Sequence, residues 1–221
     1  MRDFIKNTII LLCIGLLLQG CAAKTKIEEF SREDVDLSYI TKIAVLPFEN
    51  HTKDEFAAQR MRDITITQVL AMGLFDVVDK GVVDSALMDF AVEPGKPIDS
   101  PILKRLGKRL GVDAFLMGEV NEVGEDRRGS MSFPLVSLTM RLVDSKAVLV
   151  LWRASGHKSG YSTMYRLFGI SPKDSFEVSM ELVRDMLRTI PVSGVKGGME
   201  SGGEMPEAGP VVEQGGDNAT Q

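Results

Sequence analysis

Lys42-Ile-Ala-Val-Leu-Pro-Phe-Glu-Asn50 is the stretch whose reading decides the fold. Ile43 to Phe48 is a continuous apolar run, and a short run without alternation is the mark of a strand buried on both faces, which parallel sheets covered by helices require. Pro47 has no N–H to give to a ladder, so pairing is expected to stop there. Glu49-Asn-His-Thr-Lys-Asp54 then reads as a polar loop. The segment 55–72 reads as a helix closed by Gly73, a residue suited to the left-handed conformation that ends helices. On that helix Ala57, Met61, Ile64 and Met72 share one side, while Ile66 and Leu70 fall nearly opposite. Apolar residues on both sides predict cover on both sides, by the sheet and a neighbouring helix or by a second subunit.

Working outward, Phe75 to Asp79 predicts a short strand and Val82 to Phe90 a helix. Ser100-Pro101 predicts an N-cap with proline at the first helical position. Ile102, Leu103, Leu106 and Leu110 form that helix's buried side, and Gly111 ends it. A strand over 114–123 is followed by an expected charged turn, 124–129. Val136, Leu138, Met140 and Leu142 alternate with Ser137, Thr139 and Arg141, the period of a half-buried antiparallel strand. Asp144 to Lys146 turns the chain, 147–154 returns, and 156–170 is a glycine- and tyrosine-bearing loop. Ser171-Pro172 is expected to open the last helix, with Phe176, Met180, Val183, Leu187 and Ile190 as its core stripe. Helices between the early strands and hairpins between the late ones predict a mixed-sheet α/β sandwich, one domain over 39–190.

The ends of the chain read differently. Residues 1–20 combine Arg2 and Lys6 with the apolar run Ile9–Leu18 and a small residue, Gly20, before Cys21: the layout of a secretory signal peptide. The run is too short to span a bilayer, which takes ~20 apolar residues. Leu18-Gln-Gly-Cys21 resembles the bacterial lipobox, and that resemblance implies acyl chains such as palmitate on Cys21. One chain of myristoyl size holds a protein only reversibly and two signals hold it stably, so a multiply acylated Cys21 would be an anchor to the bilayer rather than a span. Ala22 stands where an aspartate is the usual inner-membrane retention signal in enteric-type lipoproteins, which favours the periplasmic face of the outer membrane. Residues 21–38 are polar and charged and read as a lipidated tether. Residues 191–221 carry eight glycines and few large apolar residues; such a tail cannot offset its ordering entropy and is expected to be disordered.

The chain has 26 basic and 31 acidic residues, and loss of Arg2, Lys6 and Asp3 with the leader would leave 24 and 30. This acidic balance argues against nucleic acid, whose binders are usually basic. With Cys13 in the leader and Cys21 acylated, no disulfide is expected, and the fold must stand on its apolar core.

Three segments together resemble a known group of envelope proteins. Lys42 to Asn50 is similar to its "IAVLPFEN" strand, Leu110-Gly-Val-Asp-Ala-Phe-Leu-Met-Gly-Glu-Val120 to its "LGADYVLVGEV" segment, and Arg141-Leu-Val-Asp-Ser-Lys-Ala-Val-Leu-Val-Leu-Trp152 to its "LVDAKTGEVLW" hairpin. The group comprises the curli-secretion lipoprotein CsgG, the TolB amino-terminal domain and the lipoprotein activators of penicillin-binding proteins. It implies an anticodon-binding/TolB-N-like fold over about 40–190. It also implies work through envelope-protein partners or as a homo-oligomer, in assembling or stabilising an envelope or secretion complex. The alternative is activation of a peptidoglycan synthase. Lys146-Ala147 departs from the threonine-glycine of the group's hairpin turn. A curli-type pore needs added hairpins with strands of ~9–11 residues, which the expected turn 124–129 and the loop 156–170 cannot house.

No catalytic constellation is present. No phosphate loop or serine elbow occurs, neither histidine has a partner serine, and no enzyme or cofactor is expected. His51 with Glu49 and Asp54 is a second alternative, a weak ligand or metal site in the first strand–helix loop, against a plain solvated loop. Lys104, Arg105, Lys108 and Arg109 make a basic helix face, either solvated or facing anionic lipid or an acidic partner. Tyr161, Tyr165 and Phe168 either anchor a partner or cover the adjacent core, and Ile66 and Leu70 are the corresponding candidates on the first helix. Replacing Cys21 by serine removes the thiol that would carry the lipid. The variant should lose incorporation of labelled palmitate and leave the detergent phase of a Triton X-114 partition; label retained in it would place the modification elsewhere.

Overall fold

In a computed structural model, residues 25–129, 131–161 and 173–191 are described. The strands are β1 (Lys26–Ser31), β2 (Lys42–Val45), β3 (Glu49–Asn50), β4 (Asp76–Val77), β5 (Ala114–Arg128), β6 (Met131–Asp144) and β7 (Val150–Ser159). The helices are α1 (Ala57–Ala71), α2 (Lys80–Asp89), α3 (Ser100–Leu110) and α4 (Ser175–Leu187). One mixed sheet runs β1-β7-β6-β5-β2-β4, with β3 pairing onto β5. Pairing is parallel among β4, β2, β5 and β3 and antiparallel from β5 through β6 and β7 to β1.

The apolar run of β2 does what its lack of alternation predicts. Ile43 and Val45 lie in a core shared with α1 and α4, while Ala44 and Leu46 lie in a second core shared with α2 and α3. β5 repeats the pattern, Leu116 and Val120 on the first side, Phe115 and Met117 on the second. Pairing is interrupted where Pro47 falls, after the bond from Leu46 N–H to the Leu116 carbonyl, 3.0 Å, and resumes along β5 at β3, where His51 N–H reaches the Val120 carbonyl at 3.0 Å. Helix ends follow local chemistry. Asp79 caps α2 by accepting from the Gly81 and Val82 amides, and Gly111, at φ 62°, takes the left-handed turn that closes α3. Gly118 carries no side chain because the Phe48 ring occupies its space: a Cβ there would lie 2.5 Å from Phe48 Cε2.

Several expectations need correction, among them the loops 49–54 and 156–170, whose first residues are β3 and the end of β7. The tether reading of 21–38 fails from Lys26 onward, where β1 pairs along β7 over six residues. Half of its side chains are charged and four of the six are exposed, so the strand is held by main-chain bonds, by Ile27 against the first core, and by a charged cluster at its start. There Lys158 Nζ, 15% exposed, donates to Thr25 Oγ1 and Asp185 Oδ2 at 2.9 Å and lies 3.0 Å from Glu181. The expected turn at 124–129 is strand instead: β5 and β6 stay paired to Arg128 and Met131, with a bulge after Val120. The argument against a pore that rested on that loop's length falls with it. The last helix starts at Ser175, with Asp174 as N-cap accepting from the Glu177 amide, and its buried stripe is Val178, Leu182, Val183, Met186 and Leu187. Phe176 is 61% exposed, because the helix sits in the angle between sheet and α1, and the 178/182/186 row, not the 176/180 row, faces that angle. Finally, Asp99 rather than Ser100 is the residue before α3, with Pro101 in its first turn. The β6–β7 turn is closed by Asp144 Oδ1, which accepts from the Lys146 amide at 2.8 Å and from that of Ala147. It forces Val148 to φ 57°, a conformation a β-branched residue resists.

Two measurements follow. Gly118→Ala should cost about 1–3 kcal/mol in denaturant unfolding, the usual penalty of overpacking a closed core, because the Phe48 ring is 3% exposed and has little room to yield. Burial raises the Asp185 and Glu181 carboxyls, but hydrogen bonds from Thr25, Lys158 and Lys173 outweigh it and hold both below their ordinary values of 3.8 and 4.5. A depressed folded pKa contributes stability above the unfolded value and loses it as pH falls. Lys158→Met should therefore be about 1–2 kcal/mol less stable than the native chain at neutral pH, with the gap closing below pH 4.5. A pH-independent gap in thermal unfolding would show that the lysine acts through packing alone.

Candidate interaction surfaces

The loop after β2 is built to hold itself. Asn50 Oδ1 accepts from the Thr52 amide and hydroxyl at 3.0 and 2.9 Å, and its Nδ2 donates to the Asp54 carbonyl at 2.8 Å. Asp54 accepts from the Phe56 amide at 3.0 Å and pairs with Arg60; the guanidinium holds its carboxyl below the usual range. His51 is half exposed, 3.9 Å from Glu49, which is turned toward Arg141 at 3.7 Å. Asp54 and Glu49 are thus engaged by arginines rather than gathered on His51. Among the described residues no group of three or more His, Cys, Asp and Glu side chains could hold a metal ion, so the metal part of the His51 reading does not assemble.

The outward face of β5, β6 and β7 is a polar sheet surface. Arg141 bridges Glu119 at 2.7 Å and Glu49, and Asn121, Thr139 and Ser155 form a chain of side-chain bonds at 3.0 Å. These are the polar half of the alternation read from the sequence. Register puts Arg153 and Phe30 opposite each other, and His157 opposite Lys26, on the same face, so the two histidines lie apart. Trp152 is core, fully buried, with Nε1–H donating to Thr189 Oγ1 at 3.0 Å.

Of the apolar residues left outside, Phe56, Leu70 and Phe176 lie on or beside α1 and α4. On α1, Ile66 is half-buried against the first core but Leu70 is 55% exposed. Phe56, at 63% exposed, precedes Leu70 by fourteen positions, four helical turns, so the two share a stripe with Arg60, Asp63 and Thr67. Beside this stripe a groove of about 230 Å³ runs to α4, walled by Ile64, Met180 and Phe176. Tyr161 turns its ring edge-on to Phe133, centroids 5.2 Å apart. Tyr165, Phe168 and Cys21 lie outside the described residues. On α3 the four basic side chains are exposed; Arg105 sits 5.3 Å over the Phe90 ring and Arg109 3.6 Å from Asp89.

One feature the sequence reading passed over is Arg62. Its side chain is 4% exposed at the wall of a cavity of about 590 Å³ between α1 and α2. The signal was present: Arg62 shares the spacing of Ala58, Thr65 and Val69, the last two of which are fully buried.

The chain is thus one α/β domain with a mixed sheet, helices on both faces of its parallel half, and polar and apolar faces left open. The chain belongs to the GNA1162-like lipoprotein family, which it matches over residues 35–170. No curated protein matches the sequence. Among solved structures it is similar to the PelC dodecamer from Paraburkholderia phytofirmans, at 18% identity and a TM-score of 0.53, covering 77% of this chain and 100% of that one. Lipoprotein GNA1162 from Neisseria meningitidis is 24% identical over 59% of this chain and 91% of its own, with a TM-score of 0.45. The LpoB C-terminal domain from Escherichia coli is 15% identical over 58% and 87%, with a TM-score of 0.42.

Proposed function

We propose that this lipoprotein is anchored through Cys21 to the periplasmic face of the outer membrane and works as a ring of identical chains that assembles or stabilises an envelope complex. What carries the reading is the correspondence with PelC, a protein whose crystal structure is a dodecamer and whose whole chain overlays this one. The exposed stripe of Phe56 and Leu70 and the adjoining Phe176 groove supply the kind of face self-association needs, since aromatic and aliphatic anchors seated in pockets carry most interface energy. The three motifs quoted above support kinship with the CsgG and TolB amino-terminal group. Activation of a peptidoglycan synthase is the competing reading, and it does not require self-assembly.

The two separate by mass. The lipidated chain in detergent, measured by light scattering across a concentration series with the detergent mass subtracted, should give a ring-sized multiple of the mass of residues 21–221 with their acyl chains. Leu70→Glu with Phe176→Glu should return it to monomer without lowering its unfolding midpoint, because both side chains are more than half exposed. A strict monomer at high concentration would sink the ring and favour the activator.

A further inference from the structure

We propose that the cavity between α1 and α2 is a binding site for a small ligand carrying a carboxylate or phosphate oxygen on an apolar body, with Arg62 as its polar anchor. This rests on residues separate from the ring face. Arg62 Nε donates to the Val45 carbonyl at 3.0 Å and Nη1 to Asp84 Oδ1 at 2.7 Å. Nη2 is buried and has no partner among the described residues. A guanidinium so enclosed normally satisfies every N–H, and here two of its three nitrogens are spent on holding it rigid, which leaves the third poised for an acceptor from outside the chain.

The position is the one where open α/β sheets bind ligands. β2 lies between β4 and β5, and the connection after it passes over one face as α1, while α2 and α3 cover the other. The cavity opens at the C-terminal end of β2, between those layers, next to Pro47 and Phe48. The first turn of α1 borders it through Ala58 and Gln59. Phe56, the residue before that helix, makes no side-chain cap bond of its own, while the Asp54 carboxylate accepts from the Phe56 amide at 3.0 Å. On the wall Arg62 is paired with Asp84 and Lys80 with Asp63, 2.6 Å away, so the preference for an anionic oxygen rests on the unpartnered Arg62 Nη2, with Lys96 on the same wall. Leu87, Met88, Val92 and Pro94 offer the rest of the ligand an apolar bed. A volume near 590 Å³ lies within the range of small-molecule sites, ~300–1,000 Å³.

The test is calorimetric titration of the full chain in nanodiscs, against empty nanodiscs, with 4-phenylbutyrate, 4-phenylbutyl phosphate and neutral 4-phenylbutanol. Saturable binding of an anion, tighter than the alcohol by about tenfold or more, is the expected result, and preference between the two anions tells whether the natural ligand is a carboxylate or a phosphate. Because Arg62 also braces the fold, the variants are at the rim. Met88→Asp and Lys96→Gln should each weaken anion binding and leave the unfolding midpoint alone, Met88 being 73% exposed. An alcohol that binds as well as the anions, no saturable binding of any probe, or binding unchanged in both variants would overturn the proposal.

Discussion

The structure depends on β2 being buried from both sides. Four residues, Ile43 to Leu46, serve two cores in alternation, so neither helical layer can form without placing the same strand. Burial of this kind is unforgiving of register: a shift by one residue would exchange Ile43 and Val45 for Ala44 and Leu46 and misfit both layers at once. It also sets the order of the chain, since a strand covered on both faces needs neighbours reached by crossovers, and α1 and the pair α2–α3 are those crossovers. Asp113 fixes where β5 enters beside it: its carboxylate accepts from the Thr41 and Lys42 amides at 3.0 and 3.1 Å, which outweighs the effect of burial and lowers its pKa.

Away from β2 the requirement relaxes. Among the described residues α4, with α1 at Met140, covers one face of β6 and β7, and the other carries Arg141, Glu119, Thr139 and Ser155. A bridge such as Arg141–Glu119 gives back part of its attraction to desolvation and to the ordering of long side chains. The effect of these polar residues is to keep an open sheet face soluble. β1 finishes the sheet with a charged strand, a common way of blunting an edge against pairing with strangers.

How much of this was legible follows from the same contrast. The run at Ile43, the leucines of α3, Gly111 and the 136–142 alternation each had one consistent reading, and the structure has it. β1 was hidden because an edge strand is held by main-chain bonds that its side chains do not announce. The continuation of β5 and β6 through Gly124 and Glu125 was hidden because, past the covering helices, no apolar period is required. The α4 stripe holds at Val183, Leu187 and Ile190 and fails at Phe176, because 176/180 and 178/182/186 are both good helical rows beside 183/187, and only the angle between sheet and α1 selects one. Of the candidate site, His51 stood out as a residue type while Arg62 did not, since a charged residue on a helix is expected to face water.

α1 shows why pattern and function diverge here. A helix serving only the core would put apolar residues inward and polar ones outward. This one buries Arg62, Thr65 and Gln68 and exposes Phe56 and Leu70, so its two-sided apolarity, legible in the sequence, is not simply two cores. The buried polar groups do work that apolar ones could not: Thr65 bonds back to the Met61 carbonyl at 2.7 Å, Gln68 receives Arg184 of α4 at 3.1 Å, and Arg62 grips the end of β2. They fix the helix in orientation at some cost in hydrophobic burial, a trade that polar groups in cores make for specificity. With its orientation fixed from within, the residues it turns outward are held in place too, and a rigid exposed apolar stripe is a better partner surface than a mobile one because less ordering remains to be done on contact.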